Sequence, residues 1–177
     1  MRNTSKIKKL SSIMHVFCTS LMFLLPLGII WIWVNFNNYA LSLARPNLLI
    51  DPQYIQTYQI IIACTLQLLA ASIMIYGIWH LRALFKLFHS GVFFTHKAIQ
   101  HLNKFTLALF VSTLLKPIVL AILSVLLTWG NPPGKKSLVL EIGSSEIATI
   151  FVAGILLTIT WIMREGQQLE NENKSFI

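Results

Sequence analysis

Four uninterrupted apolar runs decide what this chain can fold into. Ile13 to Val34, Ile60 to Trp79, Phe105 to Thr128 and Ile147 to Met163 contain one formal charge between them, Lys116. At 1.5 Å per residue the first run reaches about 33 Å, enough to cross a hydrocarbon core of about 30 Å. The fourth stands at the short limit of about 17 residues. Backbone N–H and C=O groups find no water in a bilayer, so such runs are helices. Barrel strands would alternate in polarity, and these runs do not. Composition agrees: hydrophobic residues make up 55% and charged residues 11% of the 177, with mean hydropathy +0.69. Soluble domains carry about 25% charged residues. A disordered chain, a soluble coiled coil and an ordinary water-soluble enzyme are excluded. The expected fold is all-α: an integral membrane four-helix bundle forming one domain over residues 1–177, with spans near 13–34, 60–79, 105–128 and 147–163.

The amino side of the first run carries Arg2, Lys6, Lys8 and Lys9, a pattern that signal peptides share. The run is longer than a signal-peptide core of about 7–15 residues. The small-residue site Ser42-Leu43-Ala44 falls well past its end, so a retained helix is expected. Trp31, Trp33, Tyr58, Trp79, Trp129 and Trp161 sit near span ends, where amphipathic rings favour the membrane interface.

Basic residues set orientation. The amino terminus has four, the segment between the second and third spans has Arg82, Lys86, Lys97 and Lys104, and the tail has Arg164 and Lys174. The opposite side has Arg45, Lys135 and Lys136. Positive-inside asymmetry puts both termini and the middle segment in the cytosol. A net charge of +8 then speaks for anionic lipid headgroups rather than nucleic acid, since no basic region forms a separate soluble module.

The middle segment, residues 80–105, reads HLRALFKLFHSGVFFTHKAIQHLNKF. Leu81, Leu84, Phe85 and Phe88 fall on one helical face, with Arg82, Lys86 and His89 off that stripe. Ser90-Gly91 ends the helix, and Thr95 is placed to cap a second one that runs on into the third span. The segment either presents a basic, aromatic surface for lipid or partner docking, or simply extends two spanning helices. Both readings bury Phe85, Phe88, Phe93 and Phe94 at least in part. His80, His89, His96 and His101 lack the i, i+4 spacing of a helical zinc pair and have no acidic or Cys companion, so no metal site is expected. Cys18 and Cys64 lie inside apolar runs and read as buried thiols.

Lys116 lies in the middle of the third span, where a cation costs about 2.5–3.5 kcal/mol. No Asp or Glu lies within any run, so an intramembrane salt bridge is not expected. Pro117 follows it and frees a carbonyl about one turn back. Either Lys116 snorkels from a kinked helix, or Lys116, Pro117 and Gln67 line a site for a lipid, ion or substrate. Gln67 is expected to donate an interhelical hydrogen bond. Gly28, Gly77 and Gly154, with Ala70 and Ala71, suit close helix approach. Glu165, Glu170 and Glu172 in the tail could latch onto Arg82, Lys86, Lys97 and Lys104. In the loop at 129–146, Asn131-Pro132-Pro133-Gly134 signals a turn, Ser137 to Ile142 a short strand, and Ser144 or Ser145 a cap for the fourth span, with Glu146 in its first turn. No phosphate loop, nucleophile elbow or zinc motif occurs, and neither an enzyme nor a cofactor is expected.

LRALFKLFHSGVFFT at 81–95, with Gly91, Phe94 and Thr95 as its fixed steps, resembles the bacterial membrane family called domain of unknown function 2975. The ending MREGQQLENENKSFI also fits that family at Arg164, Glu165, Gly166, Leu169, Glu170, Glu172 and Ile177. His96-Lys97 and the amidated Glu170–Asn173 stretch depart from the pattern. The resemblance implies a four-helix bacterial inner-membrane protein with no known activity. It also implies a regulatory association, by analogy with members that neighbour small helix-turn-helix regulators. The expected role is therefore interaction or regulation through the basic cytosolic segment, with membrane lipid, a protein partner or a second copy as partners. The alternative is a small transporter or channel subunit built on Lys116 and Pro117.

Overall fold

The computed structural model describes residues 2–36, 38, 54–91, 95–132 and 134–175, with side chains described from Ile7 to Leu169 within those ranges. Among the described residues four helices follow in order: α1 (Arg2–Val34), α2 (Thr57–His89), α3 (His96–Thr128) and α4 (Ser144–Ser175). All four are long and apolar enough to cross a membrane, over Ile7–Val34, Thr57–His89, His96–Thr128 and Ser144–Leu169. The chain is a multi-pass membrane protein. Among the described residues there is no strand, and Ser137 to Ile142 runs extended without one.

Local signals place the ends. Ser90 closes α2, Gly91 takes φ 81°, and the Thr95 hydroxyl accepts the Ala98 N–H at 3.4 Å to start α3. Phe85 and Phe88 are half-buried, while Phe93 and Phe94 lie outside the described residues. Gln56 and Gln59 form a reciprocal cap at the start of α2. Pro117 sits inside α3, which continues past it to Thr128.

Each helix packs extensively only on its neighbours in sequence: α1 on α2, α2 on α3, α3 on α4. α2 and α3 form the tightest pair, because Gly77 has no side chain. A Cβ there would lie 2.9 Å from the Ala108 Cβ. Gly28 and Gly154, expected to serve the same purpose, have nothing within 4 Å of such a Cβ. Near the α2–α3 turn the pair is pinned by His80 and His101, whose Nδ1 atoms meet at 2.9 Å. Near the open end Gln59 Nε2 donates to the Leu126 carbonyl at 2.8 Å.

The outer two helices are staggered against this hairpin. Trp33, in the last turn of α1, donates from Nε1 to Gln67 Oε1 at 2.7 Å. Lys116 Nζ meets Glu146 Oε1, in the first turn of α4, at 3.4 Å. Gln67 and Lys116 both lie mid-helix. From there α2 continues ten residues to Thr57 and α3 twelve to Thr128, about 15–18 Å of hairpin beyond the ends of α1 and α4. In the other direction α4 runs 29 residues past Glu146, whereas α3 has only 20 from Lys116 back to His96. The end of α4 therefore projects about 13 Å past the level of the turn.

The chain between α3 and α4 turns back along the protruding part of α3. Thr128 Oγ1 accepts the Ser137 N–H at 3.2 Å, and Ser124 Oγ accepts the Val139 N–H at 2.9 Å. Buried hydroxyls thus satisfy alternate N–H groups of a backbone that has no helix of its own. Val139 enters a core cluster with Trp33, Phe36, Ala63 and Leu127. Trp33 is buried there, not at an interface as its position near a span end suggested.

Gly77→Leu is expected to force α2 and α3 apart and cost about 1–3 kcal/mol. Gly154→Ala should leave stability unchanged or raise it by up to about 1 kcal/mol. Unfolding midpoints in detergent compare the two.

Candidate functional site

Two concavities bring the sequence candidates together. The first is a cleft of about 520 Å³ between α1 and α2 near the turn, lined by His15, Trp79, Arg82, Lys86 and His89 with Ser12 and Ala83. Arg82 Nε donates to His15 Nε2 at 3.2 Å, and His89 Nδ1 lies 3.2 Å from the Lys8 carbonyl. Those contacts hold the basic side of α2 against α1. Among the described residues the lining includes no carboxylate. Arg82 and Lys86 share this cleft. Lys97 and Lys104 are exposed on α3 and do not line it.

The histidines near the α2–α3 turn contribute structurally. His80 is buried, presents its ring to Tyr76 edge-on, and its Nε2 has no partner among the described residues. With the two Nδ1 atoms in contact, one ring donates and the other accepts. Among the described residues no three His, Cys, Asp or Glu side chains come together. Cys18 is buried and Cys64 half-buried, both as free thiols. Glu165 is exposed on α4 and pairs with none of the four bases among the described residues. The Glu170 and Glu172 side chains lie outside the described residues.

The second concavity is a trough of about 820 Å³ over the α2–α3 pair, walled by Ile29 of α1 and the start of α4. Its polar end holds Gln67, Lys116, Glu141, Ser144 and Glu146. Ala70, Ala71, Met74, Leu109 and Leu120 form its apolar floor. Pro117 also lines it. The three intramembrane candidates named from the sequence therefore share one space.

Two expectations about this site are overturned. Lys116 does have an acidic partner, Glu146. Glu146 lies one residue outside the fourth apolar run, and the stagger brings it level with the middle of α3. Gln67 accepts from Trp33 rather than donating. A related surprise concerns the start of α4. Neither serine caps it through its own hydroxyl. Glu146 reaches back, and its Oε2 accepts the Gly143 N–H at 3.1 Å and the Ser145 hydroxyl at 2.9 Å. A carboxylate here also favours the positive helix end. An acid three residues after Gly143 was the signal that could have marked Glu146 as the cap itself and not only a first-turn charge.

Gln67→Leu removes the acceptor for a buried indole N–H. The expected cost is about 0.6 kcal/mol and no more than about 1.7, the span for polar pairs between membrane helices. A change in Trp33 emission should accompany it, read by fluorescence alongside the unfolding midpoint.

A family model described as "Protein of unknown function (DUF2975)" matches residues 50–177. No curated protein and no solved structure matches the chain.

Proposed function

The chain belongs to this family of unknown function, and we propose that it acts by binding rather than catalysis, as a regulatory or interaction protein of a bacterial cytoplasmic membrane. In this reading both termini and the α2–α3 turn lie in the cytosol, where positive-inside asymmetry puts them. The partner is an acidic protein surface or anionic lipid headgroup, received by the cleft between α1 and α2. One observation carries the reading: Arg82 and Lys86 line a single cleft beside His15 and His89, with no carboxylate among its described lining residues. Two cations gathered without a counter-charge repel one another, and an anionic partner relieves that repulsion. Trp79 at the rim supports an interfacial position. Phe85 and Phe88 brace the same helix, with ring centroids 6.3 Å apart.

A second reading, a small transporter or channel subunit, is favoured by the trough. Its polar end coincides with the last turn of α1 and the first turn of α4, and helix ends inside a membrane commonly flank transported solutes.

Orientation is tested first. With Cys18 and Cys64 replaced by alanine, a cysteine at Ser90 should resist a membrane-impermeant maleimide in intact cells, and one at Lys135 should react. The opposite pattern refutes the orientation. Docking is tested by mild-detergent purification and mass spectrometry of co-eluting protein and lipid. Arg82→Gln with Lys86→Gln should weaken retention roughly 30-fold, at about 1 kcal/mol for each base lost. Unchanged retention in the folded double variant refutes docking at the cleft. Loss caused by Lys116→Leu instead transfers support to the trough.

A further inference from the structure

We propose that the trough holds an aminophospholipid, a zwitterionic head with a primary ammonium and a phosphate on apolar chains. Hydrogen-bonding capacity is left over at the polar end. Lys116 uses one of its three donors on Glu146, and its side chain is 63% exposed, so two donors remain. Gln67 spends its carbonyl on Trp33, and its amide nitrogen has no partner among the described residues. These donors suit phosphate oxygens. Glu146 takes Lys116, the Gly143 N–H and the Ser145 hydroxyl, three of about four lone-pair positions. One cation already paired with a carboxylate does not complement a simple anion. It complements a head carrying both signs, with N–H groups to give.

The floor determines the rest of the ligand. From Gln67 the trough continues along Ala70, Ala71 and Met74 of α2, opposite Leu109 of α3. Ser112 and Thr113 also line it, their hydroxyls spent on the Leu109 carbonyl; the rest of this stretch is apolar and lies inside two membrane-spanning helices. A free zwitterion would leave it unfilled, whereas acyl chains cover it and exclude water from the Lys116–Glu146 pair. The trough stays open because α1 and α4 pack on α2 and α3 rather than extensively on each other. This inference is independent of docking at the basic cleft, and its test reads a different residue.

Trp33 reports on the site, being buried, bonded to Gln67 and one turn from Ile29 of the trough wall. The other four tryptophans are exposed and are replaced by phenylalanine. The full chain is reconstituted in phosphatidylcholine vesicles. Phosphatidylethanolamine, phosphatidylcholine or phosphatidylglycerol brominated on the acyl chains is then titrated in. Phosphatidylcholine has no N–H to donate, and phosphatidylglycerol has no cation. Quenching of Trp33 should show an apparent affinity for phosphatidylethanolamine roughly tenfold above that for the other two. Glu146→Gln should abolish the preference, whereas Lys116→Gln should weaken all three lipids alike. Equal quenching by all three lipids, or a preference for phosphatidylglycerol, overturns the zwitterionic assignment. Absence of quenching by any of them means that protein fills the trough, and overturns it too. Displacement of bromolipid by soluble O-phosphoethanolamine would reassign the site to a free solute. The wild-type comparison decides even if neither variant folds.

Discussion

The α2–α3 contact at Gly77 is the constraint on which the other elements depend. With a Cβ–Cβ separation of 2.9 Å in prospect, only hydrogen fits between the backbone and Ala108. That approach makes a rigid antiparallel pair, closed near the turn by two imidazoles and near the open end by Gln59. α1 and α4 then dock on this pair from either side. Neither needs a large interface with the other, because each has a neighbour that is already fixed. The result is a hairpin with two flanking helices and a trough between them.

The stagger creates a problem that the sequence solves locally. Where α1 and α4 stop, the upper part of α3 would present its polar side chains to an apolar surrounding. The returning chain covers it, and the Ser124 and Thr128 hydroxyls take the N–H groups of Val139 and Ser137. Both hydroxyls also donate into their own helix, Ser124 to the Ala121 carbonyl and Thr128 to the Ser124 carbonyl. Each is therefore satisfied in both roles. The same stagger moves a carboxylate from a loop position to the level of Lys116. An isolated cation in the third span becomes half of an ion pair beside a helix start.

Much of the fold was legible because its signals are local. Apolar length marked the four helices, Ser90-Gly91 marked the end of α2, and Thr95 marked the start of α3. Among the residues named from the sequence, Arg82 and Lys86 fall in one concavity and Gln67, Lys116 and Pro117 in another. Register between helices was not legible. It rests on pairs 30 and 34 residues apart, Lys116 with Glu146 and Trp33 with Gln67, and no periodicity reports such a pairing. Trp33 illustrates the reason. Hydropathy scores an indole alike whether it faces lipid, an interface or a neighbouring amide, and only the partner distinguishes them. Gly28 and Gly77 look equivalent in sequence, yet one meets open space and the other a methyl group.

The surplus length of α4 has a mechanical consequence. The helix is continuous from Ser144 to Ser175 and is packed on α3 well beyond Glu146, with Ala153 and Thr160 buried. The end that passes the level of the turn is therefore the free length of a rod clamped along the rest of its course. A displacement of that end is carried into the hairpin as a movement of one body rather than absorbed at a joint.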